Sequence, residues 1–205
     1  MAADTHVRWI AKTLVWLLCL TPIMWLMWQW FEESLGPNPV DVTNRYLGEW
    51  ALRFLLIALA VTPLRELFGK PVLVRFRRLL GLFSFAYVLL HLTSYIILDQ
   101  FFDWDEIWRD ITKRWYITVG MFAFVILLSL AVTSTKGMIK RLGGARWNKL
   151  HNLVYVAAIA GIFHFYMIIR VDFREPIIYG AILAVLLGYR VVIKMEKNKR
   201  RAARA

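Results

Sequence analysis

Six apolar runs, each close to the length that crosses a lipid bilayer, constrain this chain more than any other feature. A helix rising 1.5 Å per residue needs about 20 mostly apolar residues to cross roughly 30 Å of hydrocarbon. Such runs cover residues 9–30, 50–64, 79–98, 115–132, 150–169 and 176–193. Each is too long for a buried strand. Pro63 is expected to stop the second run, and Pro176 opens the sixth in the first turn of a helix, where its missing N–H costs nothing. Arg8 and Lys12 beside the first run imitate the start of a signal peptide, but the run is too long and no small-x-small site follows, so a retained helix is expected. The fold class that follows is an all-α integral membrane protein with six transmembrane helices. A hydrophobic content of 60% agrees with this, since soluble domains average roughly 45–50%.

The formal net charge of +12 raises the question of nucleic acid, and the placement of the charges answers it. Residues 65–78 carry Arg65, Lys70, Arg75, Arg77 and Arg78 against Glu66, and residues 133–149 carry five basic side chains and no acid. By contrast residues 31–49 hold Glu32, Glu33, Asp41 and Glu49 against Arg45, and residues 99–114 hold five acids. Short basic connections stay in the cytoplasm. Both termini are therefore expected inside, and the partners implied are membrane lipids rather than nucleic acid. The tail, KMEKNKRRAARA, reads as a headgroup anchor or as a patch for an acidic partner. No repeat and no Pro- or Gly/Ser-rich linker divides the chain, so residues 1–205 are expected to form one domain. Trp25, Trp28, Trp30, Trp50, Trp104, Trp108, Trp115 and Trp147 fall near span ends, where indoles form interfacial belts.

The interiors of the six spans contain no Asp, Glu or Lys, and Arg53 is placed to reach Glu49. Proton relays and ion pathways usually need such groups, which argues against a pump or ion-coupled carrier. Two histidines remain deep in the apolar runs, His91 and His164; His151 lies at a span edge and His6 lies outside. A polar side chain without a partner in hydrocarbon costs several kcal/mol, roughly. Counted from the cytoplasmic ends of their helices, His91 is about 18 Å in and His164 about 21 Å in. Two imidazoles at one level on two helices can ligate a haem iron from opposite faces of the porphyrin. The alternative is a pair of structural histidines bonded to carbonyls or to each other, in a haem-free scaffold or small-solute carrier. A closed zinc site would want four ligands, and Cys19 is the only cysteine. Ala160 and Gly161 are expected to remove bulk from the face of His164, and Tyr87, Ser94 and Tyr95 to bond the second ring nitrogen of His91 or a propionate. Near the inner surface His151 faces only Arg77, Arg78, Leu79 and Leu80 at its level, and a guanidinium cannot ligate iron. One haem is the favoured count, with a second possible.

The residues Arg77, Arg78, Leu79, Leu80, Gly81, His91, Thr93, Ser94 and Tyr95, together with the stretch TSTKGMIKRLGGARWNKLHNLVY, resemble the MsrQ (YedZ) family, the haem-binding membrane subunits of the bacterial protein-methionine-sulfoxide reductase system within the ferric-reductase-like transmembrane group. The resemblance spans nearly the whole chain. It implies six helices in the bacterial inner membrane, haem b and a bound FMN. Electrons would pass from the quinone pool or a cytosolic flavin reductase to a periplasmic molybdenum-containing catalytic subunit, so the chain itself is an electron-transfer subunit rather than the catalytic one. By position the family's haem-linked histidines are His91 and His164, with His151 a further candidate. The wider group usually carries two histidines on each of two helices, where this chain has Arg77 and Arg78. No glycine motif marks a flavin site.

Overall fold

A computed structural model describes residues 2–202. The chain runs α1 (Ala2–Phe31), α2 (Pro39–Phe68), α3 (Val74–Ser94), α4 (Trp104–Lys113), α5 (Trp115–Val132), α6 (Lys136–Leu142), α7 (Gly144–His151), α8 (Val154–Ile168) and α9 (Arg174–Ala202), and no strand occurs among the described residues. A single 3₁₀ turn precedes α3, and a π-helical turn, Tyr95–Asp99, extends it. Six helical segments are long and apolar enough to cross a membrane: Trp9–Phe31, Pro39–Phe68, Pro71–Asp99, Trp115–Val132, Gly144–Ile168 and Arg174–Arg200. The protein is a multi-pass membrane protein, and its spans are the six read from the sequence, the fourth with the same bounds and the other five longer.

The largest departure is α2. It begins at Pro39 and runs through Pro63 to Phe68, where Gly69 ends it in the left-handed conformation, φ 63°. Pro63 does not stop the helix, because the carbonyl it orphans is answered from another helix. A proline leaves the carbonyl four residues earlier without its ladder donor; here that is Leu59, and Arg190 Nη2 of α9 donates to its oxygen at 2.6 Å. Asn38 caps the start by accepting from the Asp41 N–H. The fifth span also starts earlier than its apolar run, with α7, and bends at Asn152–Leu153 before α8. The connection between α3 and α5 contains α4, capped by the Asp103 side chain on the Glu106 N–H.

α2 is the centre of the bundle. One face carries Leu47, Ala51, Phe54, Ala58 and Val61, spaced three and four residues apart, into a core shared with Cys19 and Leu26 of α1 and with Leu80, Phe83 and Tyr87 of α3. The other face carries Leu52, Leu55, Leu56 and Leu59 against Ile126, Leu127 and Leu130 of α5, Ala157 and Ala158 of α8, and Leu183 of α9. Ala157 and Ala158 are wholly buried, as close helix approach without a hydrophobic drive requires. The outward faces are apolar instead, with Leu14, Leu18, Trp25 and Trp28 of α1 and Phe122 and Val125 of α5 exposed, as lipid contact demands. Trp50 and Trp147, two of the tryptophans near span ends, also make contacts within the bundle. Trp50 lies against Phe54 and under the Arg53 guanidinium, and Trp147 packs on His151.

Two helix pairs dominate the packing, α2 with α3 and α5 with α8. Each pair carries one of the deep histidines.

Candidate functional site

His91 lies on α3 and His164 on α8, each twenty residues after the first residue of its span, Pro71 and Gly144. The starts moved outward together relative to the apolar runs, so the match in depth survives. The two rings are neighbours, with centres 6.2 Å apart and planes nearly perpendicular at 78°. Each is anchored from behind by the neighbouring helix. His91 Nδ1 lies 2.8 Å from the Asn44 carbonyl of α2, and His164 Nδ1 lies 2.6 Å from the Tyr116 carbonyl of α5. A carbonyl only accepts, so each Nδ1 carries the proton and each Nε2 keeps a bare lone pair.

That arrangement suits two ligands of one metal. An imidazole nitrogen bonds a first-row metal at about 2.0–2.1 Å and its ring centre lies roughly 1.1 Å behind, so two rings sharing a metal from opposite sides have centres about 6.2–6.4 Å apart. The observed 6.2 Å falls there. Among the described residues no group of three or more His, Cys, Asp or Glu side chains gathers, which leaves a two-ligand set of the kind that completes a macrocycle-bound iron rather than a protein-only cage.

Glycines stand over both rings. A Cβ on Gly48 of α2 would meet His91 Cε1 and Nδ1 at 3.2 Å, and a Cβ on Gly120 of α5 would meet His164 Cε1 at 2.8 Å and Nδ1 at 2.9 Å. A Cβ on Gly161, expected to clear the face of His164, would make an ordinary contact with Leu52 Cδ1 of α2 at 3.7 Å, so this glycine lies at the packing of α8 on α2. Ala160 is buried in the same helix.

None of the three residues expected to bond the second nitrogen of His91 does so. The Tyr87 hydroxyl accepts from the Ile23 N–H and donates to the Cys19 carbonyl, bridging the α1 backbone beside Pro22. The Tyr95 hydroxyl donates to Asp110, which also pairs with Arg114 at 2.8 Å. Ser94 donates to the His91 carbonyl, not its ring, and accepts from the Asn44 side chain. Backbone carbonyls took the role because each ring points at the next helix, while these hydroxyls point along or away from α3.

His151 is not brought to the pair. It ends α7, stacked on Trp147 at 3.9 Å, with Nε2 at 3.1 Å from the Thr133 hydroxyl at the end of α5. Trp147 donates to the Thr133 carbonyl, so the three residues form one knot. Arg77 lies within electrostatic reach of His151. Arg53 meets Glu49 at 2.8 Å, as its spacing suggested, and also donates to the Tyr179 hydroxyl.

Sequence reasoning missed Asn44, Gly48, Tyr116 and Gly120. The available signal was the shared spacing, a residue and a glycine four positions on, in NRYLG and YITVG. It becomes meaningful only once α2 is paired with α3 and α5 with α8.

Comparison with known proteins agrees with this architecture. Residues 47–162 match the family described as "Ferric reductase like transmembrane component", a stretch that runs from the glycine–histidine contact of α2 to just short of His164. A Caulobacter vibrioides protein named "Protein-methionine-sulfoxide reductase heme-binding subunit MsrQ" is 51% identical over 178 residues, 87% of this chain and 85% of the relative. A Rhodospirillum rubrum protein of the same name is 50% identical over 196 residues, 96% and 93% of the two chains, and one from Polaromonas naphthalenivorans is 47% identical over 195 residues. With its six apolar helices, its central α2 and its neighbouring histidines, the chain belongs to the ferric-reductase-like transmembrane family, in the MsrQ branch.

Proposed function

We propose that the protein is a haem b electron-transfer subunit in which His91 and His164 are the axial ligands through Nε2. The observation that carries this is the pair of neighbouring imidazoles 6.2 Å apart, each with Nδ1 already committed to a carbonyl. Bound there, haem supplies one-electron redox chemistry. The protein's part is to hold the rings in one tautomer, to surround them with apolar helix, and to keep charged groups such as Glu49 and Arg53 paired at 2.8 Å. Those features set ligand basicity and local dielectric, two of the means by which a protein tunes a haem potential.

The chain acts as a single domain of residues 1–205 with both termini in the cytoplasm, as the basic connections at residues 65–78 and 133–149 favour. The relatives' name, a heme-binding subunit of protein-methionine-sulfoxide reductase, supports delivery of electrons to a methionine-sulfoxide reductase catalytic subunit. On the family resemblance that partner is periplasmic and molybdenum-containing, the donor is the quinone pool or a cytosolic flavin reductase, an FMN is bound, and the membrane is the bacterial inner membrane. His151 is proposed as a pin between α7 and α5 rather than a ligand, since its Nε2 is engaged by Thr133. One haem per chain follows.

Purified protein from haem-supplemented cells tests the reading. A Soret band and a sharp visible band on dithionite reduction are expected, and His91→Ala and His164→Ala should each abolish the low-spin spectrum. Haem-free wild-type protein would instead favour the scaffold or carrier.

A further inference from the structure

We propose that Gly48 and Gly120, with the Asn44 and Tyr116 carbonyls beside them, are positioning residues that fix the orientation and donor strength of the two imidazoles, His164 more tightly than His91. This rests on the assignment of His91 and His164 as axial ligands.

The same device occurs twice. On each backing helix the accepting carbonyl and the glycine are four residues apart, Asn44 with Gly48 and Tyr116 with Gly120. In an α-helix the carbonyl of one residue points toward the N–H of the fourth residue on, so the side chain at that later position stands beside the carbonyl. A glycine there opens a lateral approach, and the oxygen's second lone pair takes the imidazole N–H while the first keeps the helix bond. The ring then lies against the bare glycine backbone. Donation from Nδ1–H to a carbonyl increases the basicity of Nε2 and strengthens it as a ligand. A stronger donor favours the oxidised metal, so losing that bond moves the reduction potential upward.

The two copies are not equal. At Gly120 the added carbon would stand 2.8 Å from a ring atom, closer than packed carbons approach, and the Nδ1 bond there is 2.6 Å. At Gly48 the contact would be 3.2 Å and the bond is 2.8 Å. His91 has a compensating hold, since the Asn44 side chain donates to the His91 carbonyl at 3.3 Å and to Ser94 Oγ at 3.0 Å. Asn44 thus accepts from the ring and donates to the backbone of the same histidine. His164 depends on its single carbonyl and its glycine.

The experiment uses the full chain purified from haem-supplemented cells, with Gly120→Ala, Gly48→Ala and two controls. The controls are Gly188→Ala, whose Cβ would meet nothing within 4 Å, and Gly180→Ala, whose Cβ would make an ordinary contact with Ile162 at 3.9 Å. Haem retention, the low-spin ferric EPR signal and the midpoint potential are read for each. Gly120→Ala is expected to weaken haem retention about 10–100-fold, to shift the EPR signal, and to raise the potential of the fraction that remains loaded. Gly48→Ala is expected to move the same readouts in the same direction by less, and it remains informative if the Gly120 variant fails to fold. The controls should match wild type. Unchanged EPR and potential in Gly48→Ala and in folded Gly120→Ala, with only a lower melting temperature, would mean that the glycines merely let helices pack and would overturn the proposal. A wild-type spectrum retained by both His91→Ala and His164→Ala would overturn the ligand assignment itself, and this proposal with it.

Discussion

Single side chains in this protein do most of their bonding across helices rather than along them. Tyr87 is an example: from α3 it supplies both a donor and an acceptor to α1 beside Pro22, in a region where water is absent to do so. Tyr87→Phe removes the hydroxyl and leaves a buried N–H and a buried carbonyl to find other partners, a cost of about 1–3 kcal/mol. A fall in thermal unfolding temperature with an unchanged haem spectrum is the expected result, and an altered spectrum would tie Tyr87 to the site after all. His151→Ala is expected to leave haem content per polypeptide unchanged while Trp147 loses its stacking partner, measurable as a change in tryptophan emission. At this scale the sequence was legible where a residue type has one plausible use in a membrane. His91 and His164 stood out as ionisable groups in apolar runs, and the Arg53–Glu49 pair followed from a spacing of four. The glycines and Asn44 did not stand out, since their role exists only relative to a ring on another helix.

At the level of elements, Pro63 was misread for a physical reason. Proline ends most helices because nothing replaces the donor it removes, but Arg190 replaces it with a charged donor on the Leu59 carbonyl. The same guanidinium bonds the Tyr155 hydroxyl at 2.6 Å and lies over that ring, tying α2, α8 and α9 together. Arg190→Met should therefore destabilise the protein by about 1.5–3 kcal/mol, the range for a hydrogen bond from a charged group. In a Pro63→Ala background the restored N–H can serve Leu59, and the loss should shrink. A double-mutant cycle in denaturant checks this, and purely additive effects would count against the coupling. The short helix α4 is held by Asp110, which is almost fully buried and bonds both Tyr95 and Arg114. Asp110→Ala should expose residues 99–114 to protease faster than wild type while the rest of the chain stays intact.

Considered whole, the molecule was legible as six spans because bilayer thickness sets span length independently of packing. Where α2 sits was not legible, since its apolar residues ring the helix and only its neighbours show that it is central. The charge asymmetry makes a separate prediction. Single cysteines placed in residues 134–143, in a Cys19→Ser background, should react with a membrane-impermeant thiol reagent only in inside-out vesicles, and reaction in right-side-out vesicles would reverse the assigned orientation. The repeated carbonyl–glycine contact also bears on assembly. Each histidine is seated within one helix pair, His91 between α3 and α2 and His164 between α8 and α5, while the two histidines belong to different pairs. Each pair can therefore finish its own half of the site before the other exists. The halves meet through the apolar core of α2 against α5 and α8, and a haem held by both histidines would add a clasp across that seam: at a haem concentration 100 times its dissociation constant, loading would stabilise the closed arrangement by about 2.7 kcal/mol. An unloaded chain would keep both seats, each within its own helix pair.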